Sequence, residues 1–148
     1  MKAVVQRVLE ASVSVDGAKV SQIGQGLLVL VAAHRDDGLL QISRMAEKIA
    51  TLRIFEDAQG KMNLDLAAFE PKREVLIVPN FTVYGDTSGN RRPSFTASAP
   101  YADGDVKFKQ LIEELHHLGV PLQTGIFGAD MKVSLINDGP VTVILETS

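Results

Sequence analysis

Cysteine is absent from the 148 residues. That excludes a disulfide framework, a thiolate zinc site and a cysteine nucleophile together, and it suits a reducing compartment. Long apolar runs are missing too. Nothing approaches the roughly 20 residues that span a bilayer, and the first residues reach Arg7 and Glu10 before an apolar signal core can form. A soluble, cytoplasmic protein with neither signal peptide nor membrane contact is expected. Positive charge is scarce as well: 15 Lys and Arg against 18 Asp and Glu give a net charge of −3. A general nucleic-acid binder usually carries the opposite surplus. An acidic protein acting on a nucleic acid would grip only a short end through a few cations, such as Arg91, Arg92 and Lys132, weakly and with strong salt dependence.

Histidine is nearly absent, with His34, His116 and His117 the full set. No His-Glu-x-x-His spacing occurs, and the adjacent pair points to different faces of a helix, so no metal site is expected. No glycine-rich phosphate cradle of the Gly-x-x-x-x-Gly-Lys-Ser or Gly-x-Gly-x-x-Gly kind is present, and no cofactor is expected. Gly24-Gln25-Gly26 is only a turn. No repeat, linker or low-complexity tract divides the chain, so residues 1–148 are expected to form one domain.

What is present is patterned. The start alternates in period two up to Asp16-Gly17, a strong hairpin signal, and a second strand runs to Ile23. Leu27 to Val31 is an apolar run short enough for a central strand. From Gly38 to Leu52 the spacing turns helical, with Leu39, Ile42, Met45, Ala46, Ile49 and Leu52 on one face. Arg53 to Phe55 and Glu74 to Val78 read as strands, the latter broken at Pro79, and Gly85 to Pro93 as an exposed loop. A second helix should open with Asp103 or Asp105 as cap and close at Gly119, with a stripe of Phe108, Leu111, Ile112, Leu115 and Leu118. Two final strands, Lys132 to Ile136 and Val141 to Leu145, flank Asn137-Asp138-Gly139-Pro140. The expected architecture is α+β: mostly antiparallel strands bent into a partial barrel, with two main helices packed on one side.

Two segments are unusual for scaffolding. In Pro79-Asn80-Phe81-Thr82, the proline should end or bulge the strand, and the amides of Asn80, Phe81 and Thr82 could then turn outward as an oxyanion hole. The same residues also suit a plain strand terminus. Asn137-Asp138-Gly139-Pro140-Val141-Thr142 would make a good inter-strand turn and nothing more.

Taken together, the motifs resemble the D-aminoacyl-tRNA deacylase family, once called D-tyrosyl-tRNA deacylases. The resemblance covers essentially the whole chain. It runs through Lys2-Ala3-Val4-Val5-Gln6-Arg7-Val8, Ile23-Gly24 with Gly26-Leu27-Leu28-Val29-Leu30, and Leu52-Arg53-Ile54-Phe55-Glu56-Asp57. It continues in Phe81-Thr82, Arg92-Pro93-Ser94-Phe95, Thr124-Gly125-Ile126-Phe127-Gly128-Ala129-Asp130-Met131 and Asn137-Asp138-Gly139-Pro140-Val141-Thr142. One position departs: the family usually reads Ser-Gln-x-Thr where this chain has Pro79-Asn80-Phe81-Thr82. A related branch that edits other misacylated tRNAs also carries proline there.

The resemblance implies a homodimer that hydrolyses the ester between a D-amino acid, or glycine, and the terminal adenosine of tRNA. It implies that Gly139-Pro140 is a Gly-cisPro motif entering the partner's pocket, where its carbonyls reject an L side chain. Arg7 would brace that motif, and Met131 and Phe95 would line the pocket. Backbone donors at Phe81 and Thr82, beside Asn80, would stabilise the tetrahedral oxyanion. Thr82 would either attack or orient the substrate while the adenosine 2′-hydroxyl assists water. An editor of other misacylated tRNAs and a non-catalytic RNA-binding module are the alternatives.

Overall fold

A computed structural model describes residues 1–148. The chain runs through β1 (Lys2–Val15), β2 (Ala18–Ile23), β3 (Gly26–Ala32), α1 (Leu39–Ala50), β4 (Phe55–Glu56), β5 (Met62–Leu64), β6 (Glu74–Pro79), α2 (Tyr101–His117), β7 (Leu122–Thr124) and β8 (Lys132–Glu146). Short 3-10 turns at Leu66–Ala68 and Phe81–Tyr84 interrupt the connections.

The hairpin forms where Asp16-Gly17 predicts it, with positive φ at both residues (50° and 77°), as a turn matching the twist of its strands requires. β1 is the spine of the sheet. One edge pairs with β8 from Lys2 to Ser14, and the other is shared between β3 and β2, all antiparallel. β3 then pairs in parallel with β6, and β6 with β7. Antiparallel pairing was expected of most strands, and β6 and β7 are the exceptions. Each is reached through a connection containing a helix, which is the length of chain a parallel neighbour needs. The Gln22 N–H donates to the Gln123 side chain at 3.0 Å, bringing β2 toward β7 and curling the sheet into a nearly closed barrel.

The curl gives the sheet two buried faces. Val8, Ala11, Val13, Ile23, Leu28, Leu76 and Val78 fill the barrel interior. Alternate residues of the same strands (Ala3, Val5, Leu27, Val29, Val31, Val75, Ile77) point outward and are covered by α1 and α2. That is why β3 and β6 read as continuous apolar runs rather than alternating ones.

Three expectations need correction. Leu39 belongs to no buried stripe, being 71% exposed, and α1 ends at Ala50, so its buried face is Ile42, Met45, Ala46 and Ile49. α2 begins at Tyr101 after Pro100 rather than after Asp103 or Asp105, because a proline preceding the first turn fixes φ without wasting a donor. Its stripe keeps Phe108, Leu111 and Leu115 buried, whereas Leu118, in the turn after the helix, is 46% exposed. Last, Asn137-Asp138-Gly139-Pro140 does not turn the chain back. Gln6 pairs with Thr142 and Val8 with Asn137, so β8 continues as one strand and four residues bulge out opposite Arg7.

Candidate functional site

β6 delivers the first segment to the barrel mouth. Pro79 closes the parallel ladder opposite Val31, and the Asn80 N–H donates to the Val31 carbonyl at 2.8 Å. That amide is therefore taken, a correction to its expected place among outward donors. The chain then winds into the Phe81–Tyr84 turn. The opening amides of a helical turn have no partner within it, so Phe81 and Thr82 carry the turn's unclaimed donors. Ser98 Oγ donates to the Phe81 carbonyl at 2.7 Å and fixes the turn's tilt. The Thr82 hydroxyl donates to Asn80 Oδ1 at 2.5 Å.

Beside this turn lies a cavity of about 800 Å³. Its walls include Asn80, Phe81, Phe95, Ser98, Tyr101, Phe127 and Met131, and Asp130 is the one charged side chain among them. Phe81 and Phe95 meet edge to face at 5.3 Å. Met131 is held by the close approach of Gly125, where a Cβ would sit 2.7 Å from its sulfur, and the Ile126 N–H points at that sulfur from 3.3 Å. Asn80, Phe81, Phe95 and Met131 thus line one cavity. Thr82 is exposed next to them and does not line the cavity.

Gly139, Pro140 and Arg7 form a second constellation away from that cavity. The Gly139–Pro140 peptide is cis, and Gly139 has φ +141°. A Cβ on Gly139 would lie 2.8 Å from the Val141 backbone nitrogen, so only glycine fits. Asn137 closes the base of the bulge from its side chain: Nδ2 donates to the Val141 carbonyl at 3.1 Å and Oδ1 accepts from the Val141 N–H at 2.7 Å. Arg7, 6% exposed, donates from Nη1 to the Ile54 carbonyl at 2.7 Å and from Nε to the Asp138 carbonyl at 3.1 Å. Asp138 Oδ2 lies 3.4 Å from the same Nε. Gly139 and Pro140 are themselves exposed, projecting from the sheet.

Sequence reasoning missed Ser98 and Lys107. Lys107 is 7% exposed and donates to the carbonyls of His34 (3.1 Å) and Arg35 (2.9 Å), with Asp103 at 2.7 Å. The Arg35 N–H in turn donates to Ala97 and the Ala99 N–H to Ala33, which seats Ser98 under Phe81. No signal marks Lys107, because its carbonyl partners lie 72 and 73 residues away. His34 packs on Tyr84 at 5.5 Å and does not line the cavity, and His116 and His117 are exposed at the end of α2. Burial, with Asp37 and Glu146 nearby, pushes the Tyr84 phenol above its ordinary value. No His, Asp and Glu cluster of metal-binding size occurs, and no helix is long and apolar enough to cross a membrane.

An apolar cavity with a single carboxylate and no cation in its wall suits an enzyme that handles an apolar or acyl group better than one that holds a polyphosphate. Comparison with known proteins narrows that class. Residues 4–146 match the family described as D-Tyr-tRNA(Tyr) deacylase. The chain is 52% identical over 147 residues to the D-aminoacyl-tRNA deacylase of Myxococcus xanthus, covering 99% of this chain and 95% of that protein. It is 50% identical over 148 residues to that of Chlorobaculum tepidum, covering 99% and 97%. Among solved structures, one named c-Myc DNA Unwinding Element Binding Protein superposes with a TM-score of 0.92 at 37% identity, over 100% of this chain and 99% of that one. A probable eukaryotic D-amino acid tRNA deacylase shares the fold, with a TM-score of 0.82 at 17% identity over 99% and 98%. The chain belongs to the D-Tyr-tRNA(Tyr) deacylase family, and it is a hydrolase of the deacylase class.

Proposed function

We propose that the protein hydrolyses the ester joining a D-amino acid or glycine to the terminal adenosine of tRNA, and that it does so as a homodimer in the cytoplasm. The observation that carries this reading is the pairing of the apolar cavity with the Phe81–Tyr84 turn, whose leading amides can meet the oxyanion of a tetrahedral intermediate. In other enzymes one such donor is worth roughly 3–4 kcal/mol. Thr82 acts as an orienting group. Its proton is committed to the Asn80 amide oxygen, which is no base, and no histidine lines the cavity to activate the hydroxyl. Water is the nucleophile, positioned with the help of the adenosine 2′-hydroxyl.

Gly139-Pro140 serves as the chiral filter in the partner's cavity. Its exposure and its place outside the cavity of its own chain support that assignment. So does β8, which pairs only with β1 and leaves its other edge open, with Ile136 (49%) and Ile144 (61%) exposed. An apolar edge of this kind is a surface that associates. Arg7 holds the bulge still, so its carbonyls stay where an L side chain would collide with them, whereas a D side chain points away and glycine has none.

Gly139→Ala tests the filter. Added Cβ contacts at 2.6 and 2.8 Å, in a backbone region that L residues rarely adopt, must displace the bulge. The ratio of D-tyrosyl- to L-tyrosyl-tRNA hydrolysis should fall by tenfold or more, on the order of 1.4 kcal/mol of discrimination. An unchanged ratio removes the filter from this motif.

A further inference from the structure

The loop from Gly85 to Pro93 takes no part in the chemistry described so far, yet it is rooted in the site. Asp86 and Ser94 exchange both backbone hydrogen bonds at 2.8 Å, which closes residues 86–94 into a small arm. One leg springs from the oxyanion turn, since the Gly85 N–H donates to the Thr82 carbonyl at 2.9 Å. The other leads directly into Phe95 of the cavity wall. Gly85 and the Phe95 ring lie so close that a Cβ would come within 3.0 Å of the ring. The arm therefore stands at the cavity mouth and every residue in it is exposed.

Within the arm lie Arg91 and Arg92, both exposed. Neither has an ion-pair partner, whereas the other cation near the mouth, Lys132, is tied to Asp130 at 3.0 Å. The arm's only carboxylate, Asp86, accepts from the Ser88 N–H at 2.9 Å; that bond holds it below its ordinary value and keeps it at the base of the arm, away from the tip. Pro93 biases Arg92 toward extended backbone. On a protein of net charge −3, two adjacent unneutralised guanidiniums beside an acyl pocket form a local positive site, and guanidinium is the group best suited to phosphate oxygens.

We propose that the 86–94 arm docks the phosphodiester backbone of the RNA strand whose aminoacylated end enters the cavity, with Arg91 and Arg92 each taking a phosphate. The inference rests on the acyl-ester reading for the identity of that strand. It also explains how an acidic protein engages RNA: the positive charge is concentrated where the strand leaves the pocket, not spread over the surface.

The test is salt-dependent binding of uncharged tRNA to the full-length protein, which requires no turnover and so fails separately from the hydrolysis reading. Arg91→Gln/Arg92→Gln should weaken binding about tenfold or more at physiological salt. It should also flatten the slope of log K against log salt by about 1.5 to 2, the release expected from two phosphate contacts. Arg44→Gln/Lys48→Gln on α1 removes the same charge far from the arm and should leave affinity and slope as in the parent. If the double arm variant does not fold, Arg91→Gln alone should give about half the slope change. Unchanged RNA binding in the arm variants overturns the proposal. Equal losses in the α1 control overturn it in favour of net charge alone.

Discussion

Replacement of Arg7 removes the side chain that ties the Gly139-Pro140 bulge to the Ile54 segment. Its guanidinium is buried and bridges two backbone carbonyls, that of Ile54 at 2.7 Å and that of Asp138 at 3.1 Å. Arg7→Met keeps the apolar stem but deletes both bonds and orphans the Ile54 carbonyl. It also leaves Asp138 without the cation 3.4 Å away. A hydrogen bond to a charged group contributes about 1.5–3 kcal/mol, and with the Asp138 side chain 45% exposed its ion pair adds at most about 1 kcal/mol to the two. The expected destabilisation is about 4 kcal/mol, or roughly 10 °C in melting temperature for a chain of this size. Arg7→Lys should recover less than half, because an ammonium on a flexible stem cannot reproduce the fork that spans both carbonyls. Urea unfolding gives the stability, and initial rates on D- and L-tyrosyl-tRNA give the selectivity. Survivors should hydrolyse the D ester while losing their discrimination against the L ester. A loss below about 1 kcal/mol with selectivity intact would refute the bracing argument.

Thr82→Ala should lower turnover about 10- to 100-fold and leave measurable activity, since the backbone donors stay; complete loss in single-turnover assays would make the hydroxyl the nucleophile. Burial raises the Tyr84 phenol above its unfolded value of about 10. Its neutral form is the folded one, so the stabilisation is fully present below about pH 10 and declines as pH rises beyond it. Urea midpoints at pH 8 and pH 10.5 should show a drop in the wild type that Tyr84→Phe reduces, and equal drops would contradict the assignment. Dilution until sedimentation shows monomers should abolish hydrolysis, and an active monomer would disprove the shared site.

Local chemistry was the most legible part of the chain. Asp16-Gly17 dictated its own turn, and the spacing of Ile42, Met45 and Ile49 dictated the buried face of α1. The parallel placement of β6 and β7 was not legible, because a continuous apolar run suits either direction. The three-residue β7 gives no periodicity at all. Asn137-Asp138-Gly139-Pro140 has every feature of a turn. In the fold, β1 claims the residues on both sides of it, so the segment is squeezed out as a bulge while the strand carries on. Asn80, Phe81, Phe95 and Met131, from three separate stretches of the sequence, share one cavity wall, while Thr82 stays outside it. Ser98 and Lys107, which hold the turn in place, depend on contacts that exist only after folding.

On the reading proposed above, the cavity and the Gly139-Pro140 bulge together select D and glycyl esters. Hydrolysis of matched D-tyrosyl-, L-tyrosyl- and glycyl-tRNA by the purified protein tests it most directly. Rapid release from the D and glycyl esters with the L ester spared is the predicted result; cleavage of the L ester at a comparable rate, or of none of the three, would contradict it.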